Sequence, residues 1–293
     1  RSTHTSHHND LNSSKKREKT HSSDTIVSML NASNLFSVAG KNVLVTGGGT
    51  GIGYMIAEGF VSNGANVFIA SRKEAQEAAK KLNEAGPGKC RGFCGYDLNV
   101  PGQPAALADE VKAALNGQAL HVLVNNSGAN WAGPFNEYPD TAFDKVLGLN
   151  VKAVFSLSQA LMPLLEQGAS VEQPGVVINI GSIDGIQAKG MEHYAYGASK
   201  AAVHHLTRVM AGRLGPRHIT VNAIAPGPFQ SKMMRATLRK FGQQITNQTA
   251  LGRIGSPEDM AGTAIWLSSR AGAFVTGTVI VVDGGVLVKP AAL

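Results

Sequence analysis

The 293 residues include 43% hydrophobic and 16% charged side chains and 34 glycines, which excludes a chain disordered throughout and leaves room for one sizeable core. The formal charge is +7, but the first 28 positions hold five of the basic residues and three of the acids, so the remainder carries +5; with aromatics at 6%, this is too mild for a nucleic-acid surface. Two cysteines, Cys90 and Cys94, cannot build a disulfide framework and read as reduced thiols of a cytoplasmic protein, and no uninterrupted apolar run reaches the roughly 20 residues of a membrane span.

Residues 1–28 are mostly Ser, Thr, His, Asn and Lys, with almost nothing apolar before Ile26. Such a segment buries too little to offset its ordering entropy and is expected to be a disordered tail ahead of one folded domain over 29–293. His4, His7 and His8 have no fixed geometry there, so no metal site is expected. The stretch from Met29 reads as a natural start, which makes the tail an extension. A mitochondrial presequence is the competing reading, against which Asp10, Glu18, Asp24 and the missing amphipathic stripe count.

Apolar runs follow at 42–45, 66–70, 91–96, 121–124, 176–180, 220–223 and 279–282. Unalternated Val and Ile fit strands covered on both faces. Helical stretches lie between them at 52–63, 73–85, 103–115, 142–166, 196–214 and 257–267. The alternation predicts an α/β domain with a doubly wound, Rossmann-type parallel sheet of seven strands.

The first strand runs into Gly47-Gly-Gly-Thr50-Gly51-Ile52-Gly53 and then an apolar helix. Glycines at such a junction let the backbone approach a pyrophosphate, which the helix-start amides and dipole stabilise. Counted from Thr46 the spacing is T-G-x-x-x-G-x-G, which resembles the glycine motif of the classical short-chain dehydrogenase/reductase family. More marks of that family follow in order. Asp97-Leu98 after the third strand is implied to contact the adenine ring, and Asn125-Asn-Ser127-Gly128 is similar to its N-N-A-G. Pro226-Gly227, with Phe229 and Ser231, is implied to border the nicotinamide.

Strand two ends in Ser71-Arg72-Lys73, where an acid would bind the ribose hydroxyls of NAD. Arg72 pairs instead with a 2′-phosphate, so NADP(H) is the expected cofactor.

Tyr196 and Lys200 are four apart on a predicted helix and share a face, so the ammonium is expected to lower the phenol pKa and ready it for proton transfer. Tyr194 has Ala198 at that spacing and is eliminated. Ser182, at the end of strand five, is placed to hydrogen-bond a substrate oxygen. The resemblance implies that Asn150 holds a water beside the lysine and that Tyr196 and Lys200 also touch the cofactor. It further implies a homodimer or homotetramer.

These expectations converge on a reductase transferring hydride from NADPH to a ketone, β-keto ester or 3-oxoacyl thioester. The alternatives are an NAD-dependent polyol or sugar dehydrogenase and a non-catalytic dinucleotide sensor. The segment 231–245 reads as a helical lid, with Met234, Leu238, Phe241 and Ile245 as its apolar stripe. Lys232, Arg235, Arg239 and Lys240 lie on the same segment. They read as solvated side chains, or as a basic side that recruits acyl carrier protein or the phosphates of coenzyme A.

Overall fold

Four of the unalternated apolar runs become strands buried along their whole length. The computed structural model describes residues 30–188, 192–231 and 235–289, so the tail and the start at Met29 fall outside the described residues. Strands β1 (Asn42–Thr46), β2 (Asn66–Ser71), β3 (Lys89–Cys94), β4 (Val122–Asn125), β5 (Gly175–Ile180), β6 (Ile219–Pro226) and β7 (Val279–Val282) form one sheet. Its order is β3-β2-β1-β4-β5-β6-β7, and every pairing is parallel. The winding reverses between β1 and β4, which opens a crevice at their carboxyl ends. All residues of β1, β4, β5 and β6 are buried.

The helices supply the crossovers. They are α1 (Ala32–Leu35), α2 (Gly51–Ser62), α3 (Ala75–Leu82), α4 (Gln103–Leu115), α5 (Asp140–Leu147), α6 (Ala153–Glu166), α7 (Tyr194–Leu214), α8 (Arg235–Gln248) and α9 (Pro257–Ser268). On one face Ile56 and Phe60 of α2, Leu82 of α3 and Leu267 of α9 pack with Ile69 and Ile178. On the other, Leu107 of α4, Leu157, Leu161 and Leu165 of α6 and Met210 of α7 pack with Leu44 and Val177.

Several boundaries differ from the sequence expectation; helix α3 is shorter at both ends and strand β6 runs three residues further, to Pro226. Strand β3 ends two residues early because Gly95 adopts φ +92°, and its amide turns back to the Arg72 carbonyl. Helix α7 starts two residues early, at Tyr194. The single helix expected over 142–166 begins at Asp140 and is interrupted by a π-turn, Gly148–Lys152, between α5 and α6.

That composite helix, Asp140–Glu166, is 27 residues long and apolar enough to cross a membrane, although its apolar residues are not consecutive. Its buried residues, among them Val154, Leu157, Leu161 and Leu165, pack under the sheet. This is the use a core helix makes of the same composition.

Candidate active site

A cleft of about 980 Å³ runs along the carboxyl ends of the strands. Gly47, Thr50, Gly51 and Ile52 line its centre. Gly47 and Gly51 adopt φ +65° and +57°, a region closed to most side chains, so the turn between β1 and α2 depends on glycine there. Thr50 is the N-cap residue of α2, but its side chain makes no capping hydrogen bond, and the first turn carries no acid. The amides of that turn have no partner within the helix and face the cleft as an anion site. This is a cradle that fits the pyrophosphate of a dinucleotide.

At one end stand Ser71, Arg72, Lys73, Asp97 and Leu98. The Arg72 side chain is 67% exposed and lies 3.8 Å from the Asp97 carboxylate, so the guanidinium is held at the rim without being buried. Ser71 Oγ accepts the Glu74 amide at 3.2 Å, which fixes the turn leaving β2. At the other end Pro226, Gly227, Phe229 and Ser231 follow β6. Gly227 donates to the Val282 carbonyl at 2.9 Å, and a Cβ there would lie 2.7 Å from Asp283 Cα. Phe229 is buried with its ring against Gly255, and a Cβ on Gly51 would stand 3.1 Å from Ser231 Cβ.

Beyond the glycine turn the expected catalytic side chains come together. Ser182 caps a short 3-10 turn, Ile183–Gly185; its Oγ accepts the Asp184 amide at 3.1 Å, and the side chain lines the same cleft wall as Tyr196. Lys200, 5% exposed, donates to the Ile180 carbonyl at 2.7 Å, with Nζ 5.5 Å from the centre of the Tyr196 ring. Burial lowers the Lys200 pKa to about 8.

The tyrosine departs from expectation. Its pKa is pushed up to about 12, chiefly by burial, with a smaller upward push from the Asp184 charge and an opposing pull from the Ser182 hydrogen bond. Removing the phenol from water costs the phenolate more than one hydrogen bond returns, and the ammonium is engaged at the Ile180 carbonyl over the ring face. The free protein therefore holds Tyr196 as a neutral acid.

Asn150 sits in the π-turn and is 2% exposed. Its Oδ1 accepts the Ala129 amide at 2.8 Å, while Nδ2 donates to the Ala129 carbonyl and to Ser199 Oγ, both at 2.9 Å. Asn150 thus ties the loop after β4 to α7, and it flanks Gly128 together with Lys200. Turns of this π type recur at functional sites.

Two of the expected cofactor residues do not face the cleft. Asn125 is buried and donates to Ser158 Oγ at 3.1 Å and Asn179 Oδ1 at 2.9 Å, so it joins β4 to α6 and β5. Gly53 lies beneath the turn, where a Cβ would stand 2.5 Å from the Gly47 carbonyl. Ser127 and Gly128 do line the cleft, and so does Asn126, which the sequence reading passed over. Asn126 donates to the Thr46 carbonyl at 2.9 Å and the Gly47 carbonyl at 3.2 Å, bracing the glycine turn. Its signal was its place as the second Asn of the N-N-x-G run. Tyr96, Asn130, Leu149 and His193 also line the cleft and carried no motif. Phe241 and Ile245 of the expected lid line it as well. Lys232 and Met234 lie outside the described residues, as do the side chains of Arg235 and Leu238.

The glycine turn, the parallel sheet and the Ser182, Tyr196 and Lys200 group define an oxidoreductase, and the chain belongs to the short-chain dehydrogenase/reductase family. Residues 47–287 match the family model described as enoyl-(acyl carrier protein) reductase. The chain is 44% identical over 260 residues to the rhamnolipids biosynthesis 3-oxoacyl-[acyl-carrier-protein] reductase of Pseudomonas aeruginosa, covering 85% of this chain and 97% of that one. It is 35% identical to the 5-keto-D-gluconate 5-reductase of Escherichia coli, over 87% and 98% of the two chains. Among solved structures it resembles the Pseudomonas aeruginosa RhlG/NADP active-site complex, with a TM-score of 0.82, 44% identity, and coverage of 86% and 98%.

Proposed function

We propose that the protein is an NADPH-dependent reductase converting the carbonyl of a ketone, β-keto ester or 3-oxoacyl thioester into a secondary alcohol. The observation that carries this reading is the meeting of Ser182, Tyr196 and Lys200 on the wall of one dinucleotide-sized cleft, with Lys200 one helical turn from the tyrosine. Gly47, Thr50, Gly51 and Ile52 would hold the pyrophosphate. Ser71 and Arg72 would face the 2′-phosphate, which agrees with the NADP carried by the Pseudomonas structure. When bound, the reduced nicotinamide supplies the hydride. Tyr196 donates the phenolic proton to the carbonyl oxygen, Ser182 hydrogen-bonds that oxygen, and Lys200 returns a proton towards the phenol from the side that Asn150 anchors.

The substrate class rests on α8. Phe241 and Ile245 give the cleft an apolar wall, and exposed Arg239 and Lys240 stand beside it with no acid between positions 228 and 251. This arrangement suits an apolar 3-oxoacyl group delivered on an anionic carrier, as the name of the Pseudomonas relative describes. The test follows NADPH and NADH oxidation with short ketones, β-keto esters, keto-gluconates and a 3-oxoacyl thioester on acyl carrier protein, at low and high salt. NADPH preference and a carrier advantage that shrinks with salt are expected. Preference for NADH, or a carrier advantage indifferent to salt and to Arg239→Glu/Lys240→Glu, overturns the corresponding part.

A further inference from the structure

His204 lies one turn beyond Lys200 on α7, so Tyr196, Lys200 and His204 form one stripe of the helix at successive i, i+4 positions. It is 3% exposed, and its Nε2 is buried without a partner. The roles assigned to Ser182, Tyr196 and Lys200 leave this imidazole unexplained.

Its surroundings are specific. The Nε2 edge of the ring abuts Gly181, where any Cβ would overlap Nε2. Gly181 stands between Ile180, whose carbonyl accepts the Lys200 hydrogen bond, and Ser182. The imidazole also lies close enough to the backbone of Gly185, the last residue of the turn that Ser182 caps, for that backbone to favour its protonated form slightly. A Cβ at Gly185 would lie 2.6 Å from the Lys200 carbonyl carbon, so the turn is pressed onto α7 at that point. One side chain therefore braces both ends of the 181–185 segment.

We propose that His204 is a positioning residue for the reaction: by bracing both ends of this segment it fixes the Ser182 hydroxyl against the Tyr196 phenol. The brace needs a neutral ring. Burial drives the imidazole pKa down to about 4, and the charges of Lys200 and Arg208 press the same way, so the ring stays neutral throughout the working range. With Nε2 facing Gly181 and unpartnered, the other nitrogen, Nδ1, meets the Gly185 backbone. Asparagine places an amide near the Nδ1 position, whereas glutamine reaches past it towards Nε2.

The inference rests on the catalytic reading of Ser182, and the test separates the two. Initial rates are measured with NADPH and ethyl acetoacetate for wild type, His204→Leu, His204→Gln, His204→Asn, Ser182→Ala and the double variant His204→Gln/Ser182→Ala, with cofactor affinity followed by fluorescence. The Leu and Gln variants should lose about 10- to 100-fold in kcat with KM and NADPH affinity within about threefold of wild type, and Asn should recover most of the loss. The double variant should be no slower than Ser182→Ala alone, because a brace has nothing left to place once the hydroxyl is gone. The Gln variant keeps a polar side chain and carries the same comparison if the Leu variant does not fold. Full activity in folded Gln protein, or losses that multiply in the double variant, overturns the positioning role. An unaffected Ser182→Ala overturns the catalytic reading itself.

Discussion

Ser182 and Tyr196 meet because two unrelated local events place them: a strand that ends at Ile180, and a helix that starts at Tyr194. Tyr196→Phe keeps the half-buried ring and removes only the hydroxyl, so kcat should fall by about 10² to 10⁴-fold while NADPH affinity stays near wild type. Retention of half the wild-type turnover would remove Tyr196 from the mechanism. At the other end of the cleft, Arg72 is exposed and only loosely tied to Asp97 at 3.8 Å. A charge-assisted pair to a 2′-phosphate is worth roughly 1.5 to 3 kcal/mol, so Arg72→Ala should cut the NADPH over NADH preference by about 10- to 100-fold in binding titrations. Equal losses for both cofactors would make Arg72 a plain surface residue. The stripe of Tyr196 and Lys200 was legible because spacing on a helix is a property of sequence. The phenol pKa was not, because it depends on burial, which only the packed structure sets.

Among the elements, the sheet was the most legible. Strands buried on both faces leave long Val and Ile runs, and β1, β4 and β5 sit within a residue of where those runs lie. The π-turn was not legible, since Gly148 and Asn150 inside an apolar helix carry no periodicity of their own. Its cause is tertiary: Asn150 finds partners at Ala129 and Ser199, and a Cβ on Gly148 would overlap the Asn99 side chain. The role of the Asn125 side chain was not legible either, because its partners Ser158 and Asn179 lie on other elements, where it holds β4 to α6 and β5. The lid helix α8 was expected from an apolar stripe, and it forms with a kink at Phe241, φ −129° and ψ 17°. That kink accompanies the placing of Phe241 and Ile245 along the cleft. Phe241→Ala deletes apolar surface worth about 1 to 2 kcal/mol, so KM for a medium-chain 3-oxoacyl substrate should rise by about 5- to 30-fold with kcat within threefold. An unchanged KM would mean that the substrate does not lie against α8.

At the scale of the whole molecule, two histidines link stability to pH, half-buried His121 at the amino end of the strands and buried His204 near their carboxyl end. His121 accepts the Asn42 amide at Nδ1, 2.9 Å away, beside the start of β1, and burial together with the Lys41 charge lowers its pKa. His204, at the carboxyl end, is lowered to about 4. Both folded-state values lie below the reference 6.5, so on acidification the unfolded chain takes up protons that the folded chain refuses. Stability from these groups is complete above about pH 6.5 and drains as pH falls towards the folded values, at up to about 1.4 kcal/mol per pH unit for each proton. Denaturant melts at a series of pH values should show the unfolding free energy level near neutrality and falling between about pH 6.5 and 4. His204→Asn, which has no proton to gain, should reduce that slope by about one proton while leaving the neutral plateau to report any packing cost. The same slope in His204→Asn as in wild type would show that this imidazole is not the group refusing the proton, and the acid sensitivity would then have to be sought at His121.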